Sequence, residues 1–375
     1  MNKINTKTIV LRIFLALSFM FLLQASLTAV TASGAESDWD SIVAKAKQEG
    51  KLVVSASHTP AVRQATTTAF KAAYGIDIEY MGGGKGSELG RKLLAERQAG
   101  MYLQDVYIGG TTTILTALKP AGALDPLEPM LLLPEVRDKK LWIGGDYLWS
   151  DRDKKVIVIL MSPSAGQSII VNTTMVNPGE IKVYDDFLNP KWKDKIVMND
   201  PTVQGPGLRF VGAGATKIKS WDFMKELAKQ NPAINRNQRL QVEWVARGKY
   251  AIGLGMEPNL ITEFIKAGAL IEEVLPEDDH NASAGPNDLC VINRAAHPNA
   301  AKVFVNWVLS REGQTVLSLA SGIGSVKTNA STDHLRPVRR LNPAKKYFII
   351  DHEDYILKEK GLTVNAKEIF GSLMK

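Results

Sequence analysis

The feature that most constrains this chain is a strand–turn–helix unit that recurs three times between residues 51 and 118. Residues 52–56 are a short apolar run, the pattern of a buried strand. Ser57-His58-Thr59-Pro60 then leads into a helix with proline at its first position. That helix carries Val62, Ala65, Ala69 and Phe70 on one side and closes at Gly75. Ile76, Ile78 and Tyr80 alternate as a second strand, and the glycine-rich run 82–87 turns into a helix ending near Ala99. Residues 105–108 read as a third strand, followed by Gly109-Gly110 and a helix that Thr111, Thr112 or Thr113 is suited to cap. Such alternation predicts an α/β fold with a mixed, mostly parallel sheet flanked by helices. The turns then gather on one rim, where helix N-termini leave backbone N–H groups for an anion or polar ligand.

A second block repeats the grammar. Residues 195–199 read as a strand before Asp200-Pro201, and Gly205-Pro206-Gly207 opens a helix. Residues 250–254 read as another strand, stopping at Gly255-Met256-Glu257-Pro258 where a further helix starts. Residues 271–275 are a strand, and residues 288–292 read as one returning to the first block. Helices follow from Pro298 to Leu309 and from Ser310 to about Ala320, before a tail of loops and a short final helix. At 375 residues, two domains are the natural expectation.

Residues 1–35 carry Lys3, Lys7 and Arg12 before a largely apolar stretch and two small-residue cleavage sites, near Ala32 and Ala35. This is the pattern of an export signal, and a periplasmic location is expected. Without those three basic residues the chain holds 43 basic against 39 acidic side chains, a balance too mild to argue for nucleic acid. The single cysteine, Cys290, lies in an apolar run and reads as a buried strand residue rather than a nucleophile. The basic cluster Arg336, Arg339, Arg340, Lys345 and Lys346 reads as a solvated face.

No catalytic signature is present: neither a Gly-x-Ser-x-Gly elbow nor a His-Glu-x-x-His pair occurs. The 82–87 run fails the P-loop pattern because glycine follows Lys85. Five histidines and one cysteine are too few and too scattered for a structural zinc site, so neither metal nor cofactor is expected. Trp142 and Trp149 fall in an irregular crossing region and are the tryptophans best placed to reach a cleft.

Several longer stretches carry a resemblance. They are the Ala-Lys-Gln-Glu-Gly-Lys-Leu-Val-Val ending at Val54, residues 95–100, residues 105–110, residues 186–196 with Asp200-Pro201, and residues 297–302 through 306–310. In this order and spacing they resemble the periplasmic substrate-binding proteins of ABC importers. The resemblance is to the group that includes ferric-iron, thiamine, polyamine and aminoethylphosphonate binders. It implies a type II periplasmic-binding-protein-like fold of two lobes, with ligand held between them and passed to a membrane permease with its ATPase. His58 stands where ferric members carry a histidine, but no tyrosine pair accompanies Met256-Glu257-Pro258. Tyrosinate oxygens suit ferric iron, so a small anionic or zwitterionic organic ligand is the main expectation. A ferric site using His58 and Glu257 with an exogenous anion is the alternative, and an exported enzyme on this fold a remote one.

Residues 36–167 and 288–330 are expected to form one lobe, 168–287 the other, with 331–375 packing on the lobes of a monomer. Closure is expected to bend the chain near Ser168–Asn172 and Pro276–Pro286. The rim residues expected to meet the ligand are Ser57, His58, Thr59, Gly84, Lys85, Gly110, Thr111, Thr112, Asp200, Gly205, Gly207, Arg209, Glu257 and Asn259.

Overall fold

The computed structural model describes residues 38–374 apart from 83–85, 163, 166–167 and 286. The export-signal stretch and the expected ligand residues Gly84 and Lys85 therefore lie outside the described residues. A helix over 38–49 leads to β1 (Lys51–Ala56), then come β2 (Asp77–Met81), β3 (Val106–Gly109) and β4 (Leu124–Asp125). Three two-residue strands follow in the crossing region: β5 (Val158–Ile159), β6 (Met161–Ser162) and β7 (Ser164–Ala165). The second block supplies β8 (Ile169–Asn172), β9 (Ile196–Asn199), β10 (Ala233–Asn235), β11 (Ile252–Leu254) and β12 (Ile271–Val274). The chain ends with β13 (Asn281–Ser283), β14 (Asp288–Ile292), β15 (Gly324–Ser325) and β16 (Phe348–Ile349).

The first sheet has the order β2-β1-β3-β14-β4, with β5 also on β14. It is parallel where the βα units build it and antiparallel where β14 returns to pair with β3. Strand β1 is central and covered on both faces, which explains why residues 52–56 are buried without alternation. The second sheet runs β10-β9-β11-β8-β12, parallel around β9 and antiparallel on both sides of β8. Each sheet has its own core. One draws on residues 46–161 and 284–326, the other on 169–274 and 350–370.

The structure corrects four expectations. No threonine caps the helix after β3: Gly109 is the last strand residue, Gly110 is an extended N-cap without a side-chain bond, and Thr111 instead pairs with the Asp288 carboxyl on β14. One helical turn later the backbone widens into a π-helix, Ile114–Leu118, which buries Ile114, Leu115 and Leu118. Trp142 and Trp149 do not line the cavity between the two cores; they stack edge-on against Tyr147 in the first core, where Trp142 Nε1 donates to the Val136 carbonyl at 3.0 Å. Residues 169–172 are an inner strand of the second sheet, so they cannot absorb a hinge motion. The tail holds a full helix, Glu359–Phe370, that buries Leu362, Ala366 and Phe370 in the second core.

Candidate functional site

Between the two cores lies a cavity of about 300 Å³. Its first-core wall is Ser57, His58, Thr59 and Val62, with Met161 and Ser321–Ile323; its second-core wall is Ser168, Pro206, Arg209 and Gly255–Pro258. Asn281, Ser283, Gly285 and Asn287 line it from the segment between the sheets, and Arg339 and Ile350 from the tail.

Local sequence explains how these groups arrive. β1 stops at Ala56, and Thr59 caps the helix Pro60–Tyr74 by accepting from the Val62 N–H at 3.4 Å, which leaves His58 in the turn on the rim. On the opposite wall two helices start side by side, Pro206–Ala213 and Pro258–Lys266. Gly255 has φ +64°, and a Cβ there would come within 2.9 Å of the Pro206 carbonyl oxygen, so only glycine lets the two starts approach. Gly207 packs just behind this wall, its N–H donating at 3.1 Å to Asn199 Oδ1 at the end of β9.

The electrostatics of the cavity are mixed. Burial drives the His58 pKa from 6.5 to about 4; the Asn287 amide opposes the shift and the Arg63 charge adds to it. The imidazole is therefore neutral at pH 7. Both its ring nitrogens are buried, and neither completes a hydrogen bond among the described residues, although Asn287 faces the ring. Asn281, fully buried, donates to Asp279 Oδ1 at 2.7 Å and leaves its own Oδ1 without a partner among the described residues. Buried polar atoms of this kind are ordinarily satisfied, so a cavity that leaves three of them unpaired is arranged for a polar occupant. Arg209 is half exposed and lies 3.4 Å from Asp351 Oδ1, whose other oxygen accepts from Ser283 Oγ at 2.6 Å and the Ala284 N–H at 2.8 Å. Glu257 adds a carboxylate at the start of the helix Pro258–Lys266.

Of the rim residues expected from sequence, the cavity brings together Ser57, His58, Thr59, Arg209 and Glu257. Gly205 and Gly207 flank the lining residue Pro206 without lining the cavity themselves, and Asn259 sits one residue beyond the lining Pro258. Gly110, Thr111 and Thr112 are not part of the wall, because β14 inserts beside β3 and its Asp288 engages Thr111. Asp200 is also elsewhere: it is buried, pairs with Arg236 Nε at 2.7 Å and accepts from Thr202 Oγ1 at 2.7 Å. Asn281, Ser283 and Asn287 escaped sequence reasoning because their segment carries no helix-start signal. Arg339 escaped because its cluster reads as solvated, whereas it is only 8% exposed and ion-paired to Glu273.

Among the described residues no group of three or more His, Cys, Asp or Glu is placed to hold a metal ion, and no helix is long and apolar enough to cross a membrane.

Comparison with known proteins bears on this arrangement. An uncharacterised protein of Haemophilus influenzae is 25% identical over 318 residues, covering 82% of this chain and 85% of its own. Among solved structures, Trichodesmium FutA in complex with iron and citrate superposes with a TM-score of 0.64 at 18% identity, over 86% of this chain and 99% of that one. AfuA of Actinobacillus pleuropneumoniae, with fructose-6-phosphate bound, gives 0.57 at 19% over 86% and 99%. Iron-bound HitA of Pseudomonas aeruginosa gives 0.57 at 17% over 84% and 99%. These likenesses establish the two-lobed periplasmic-binding fold. Residues 51–320 match the sequence profile of the bacterial extracellular solute-binding proteins, and the chain belongs to that family.

Proposed function

We propose that this protein is the periplasmic solute-binding subunit of an ABC importer. In this reading it captures a small anionic or zwitterionic organic solute in the cavity between its lobes and delivers it to a membrane permease, as a monomer and without catalysis of its own. The lobes correspond to residues 36–167 with 288–330, and to 168–287. The observation that carries the reading is the cavity itself. It has the volume of a small-solute site, it is walled by both cores, and it combines guanidinium groups and a carboxylate with three buried polar atoms, on His58 and Asn281, that have no partner among the described residues. Two helix starts, at Pro206 and Pro258, add the positive ends of their dipoles to one wall. A zwitterion uses both signs: its anionic group meets the arginine side and its ammonium the side of Glu257 and the Asn281 carbonyl oxygen.

The test is a thermal-shift screen of anionic, zwitterionic and cationic solutes, joined to mass spectrometry of any ligand carried through purification. At a hundredfold excess over its dissociation constant a ligand stabilises the native state by about 2.7 kcal/mol, a measurable shift. A melt that responds only to purely cationic compounds or to free ferric iron would sink the organic-anion reading.

A second reading, a ferric ion or ferric chelate, draws on the neutral imidazole of His58 and on Glu257, which line the same cavity. With two protein groups of this type, an exogenous anion has to supply the remaining ligands. Visible absorbance on titration with ferric citrate distinguishes it.

A further inference from the structure

The tail beyond the family match contributes a side chain to the cavity. The profile match ends at residue 320, and Arg339 beyond it lines the cavity beside Pro258 and Ile350. Its guanidinium is held on two sides: Nε donates to Glu273 Oε2 at 2.9 Å, and Nη2 donates to the Pro258 carbonyl at 2.8 Å. The third nitrogen, Nη1, has no protein partner among the described residues. Glu273 is itself shared, since Arg336 Nη2 donates to the same oxygen at 2.7 Å. Two guanidinium groups thus rest on one buried carboxylate, with Glu272 acting on Arg336 from beside it.

We infer that Arg339 is a specificity-determining residue of the cleft, with Nη1 donating to the carboxylate, phosphate or phosphonate group of the solute. The chemistry favours Arg339 over Arg209 for this task. Arg209 is half exposed and meets its carboxylate partner, Asp351, at a longer 3.4 Å, so its orientation is less fixed than that of Arg339. Arg339 is buried and clamped in orientation by two hydrogen bonds, so it loses little freedom when an anion docks. Glu273 and the Pro258 carbonyl act as its positioning groups.

The inference rests on the anion-binding reading above, and the experiment separates the two. Full-length mature protein is titrated calorimetrically with inorganic phosphate, citrate, β-alanine and 2-aminoethylphosphonate, with ethanolamine and propylamine as cationic counterparts. The variants are Arg339→Gln, Arg339→Lys and Arg336→Gln, the last removing a guanidinium from the same Glu273 without touching the cavity wall. Arg339→Gln is expected to raise the dissociation constant of anion-bearing probes by about tenfold or more, the loss of a charge-assisted hydrogen bond, with Arg339→Lys recovering part of it. Arg336→Gln is expected to stay within about twofold of wild type, as a substitution that makes no ligand contact should. Anion binding unchanged in Arg339→Gln overturns the inference while leaving the anion reading standing. An equal loss in Arg336→Gln also overturns it, because the ion-pair scaffold and not the contact would then matter. If no anionic or zwitterionic probe binds wild type, the reading fails and the inference falls with it.

Discussion

His58 shows how a single side chain ties the cavity to the stability of the fold. Its pKa is about 4 in the native state against an ordinary 6.5, so between those values the unfolded chain binds a proton that the folded chain refuses. Stability attributable to this residue is therefore intact above about pH 6.5 and declines as pH falls toward about 4, by roughly 3 kcal/mol in total. Urea unfolding of wild type and His58→Asn at pH 7 and pH 4.5 checks it: the wild type should lose roughly 2–3 kcal/mol more than the variant on acidification. An identical loss in both proteins would refute the account. Thr111 gives the opposite case, a residue with the right sequence context and a structural task. Its hydroxyl pairs with Asp288, which shares its carboxyl with Ser150; burial holds that carboxyl well above the usual range, and neighbouring Asp351 and Asp151 add to the shift. Thr111→Val should cost roughly 1–3 kcal/mol in denaturation, by leaving a buried carboxyl short of a partner, and leave solute affinity unchanged. A drop in affinity instead would return Thr111 to the binding wall. His58 was legible because strand ends and helix starts are written locally. The burial of Arg339 was not, since its partner Glu273 lies 66 positions earlier in sequence.

Two helix starts form one wall of the cavity, and the glycine between them sets how closely they approach. Gly255 combines a left-handed backbone with a Cβ position 2.9 Å from the Pro206 carbonyl oxygen and 3.0 Å from Gly207 Cα. Gly268 has a similar backbone, φ +84°, and nothing within 4 Å. Gly268→Ala should therefore cost only the left-handed penalty, about 1 kcal/mol, while Gly255→Ala adds overpacking for roughly 2–4 kcal/mol in total. Gly255→Ala should also weaken solute binding, because the helix starts at Pro206 and Pro258 must move apart. Equal costs in the two variants, read by chemical denaturation, would refute the close-packing argument. At this scale the sequence was most readable: proline at the first helical position and glycine at the last mark the helix Pro60–Tyr74 from both ends. The expected threonine cap failed because a strand from beyond the second block, β14, claims the Thr111 hydroxyl. No local pattern encodes that pairing. The π-helical widening at Ile114–Leu118 was equally silent, since it buries the same apolar residues an α-helix would present.

Across the whole molecule, the passages between the two cores are joined into a sheet of their own. β13 pairs antiparallel with β7 and parallel with β16, so the outgoing segment, the returning segment and the tail are hydrogen-bonded side by side. The tail is also stitched to both sides. Glu353 bonds Lys119 at 2.8 Å in the first block, while the helix Glu359–Phe370 packs into the second core. On the proposed lobe closure, this sheet is expected to bend by twisting rather than as two independent linkers, with the third strand restraining how far the lobes open. The Phe348 N–H donates to the His280 carbonyl at 2.9 Å, so proline at this position removes a bond that holds the third strand without altering the cavity wall. Phe348→Ala is the control, losing the same side-chain packing against the second core but keeping the donor. Small-angle scattering of the free proteins should show a larger radius of gyration for Phe348→Pro than for Phe348→Ala. Apparent affinity for any solute that binds wild type should fall in proportion to the population still competent to close. Saturating solute should draw both variants to the same closed radius, because closure depends on contacts across the cavity and not on the third strand. Indistinguishable radii and affinities for the two free variants would mean that the tail strand does not restrain the hinge. Opening would then be governed by the two crossing segments alone.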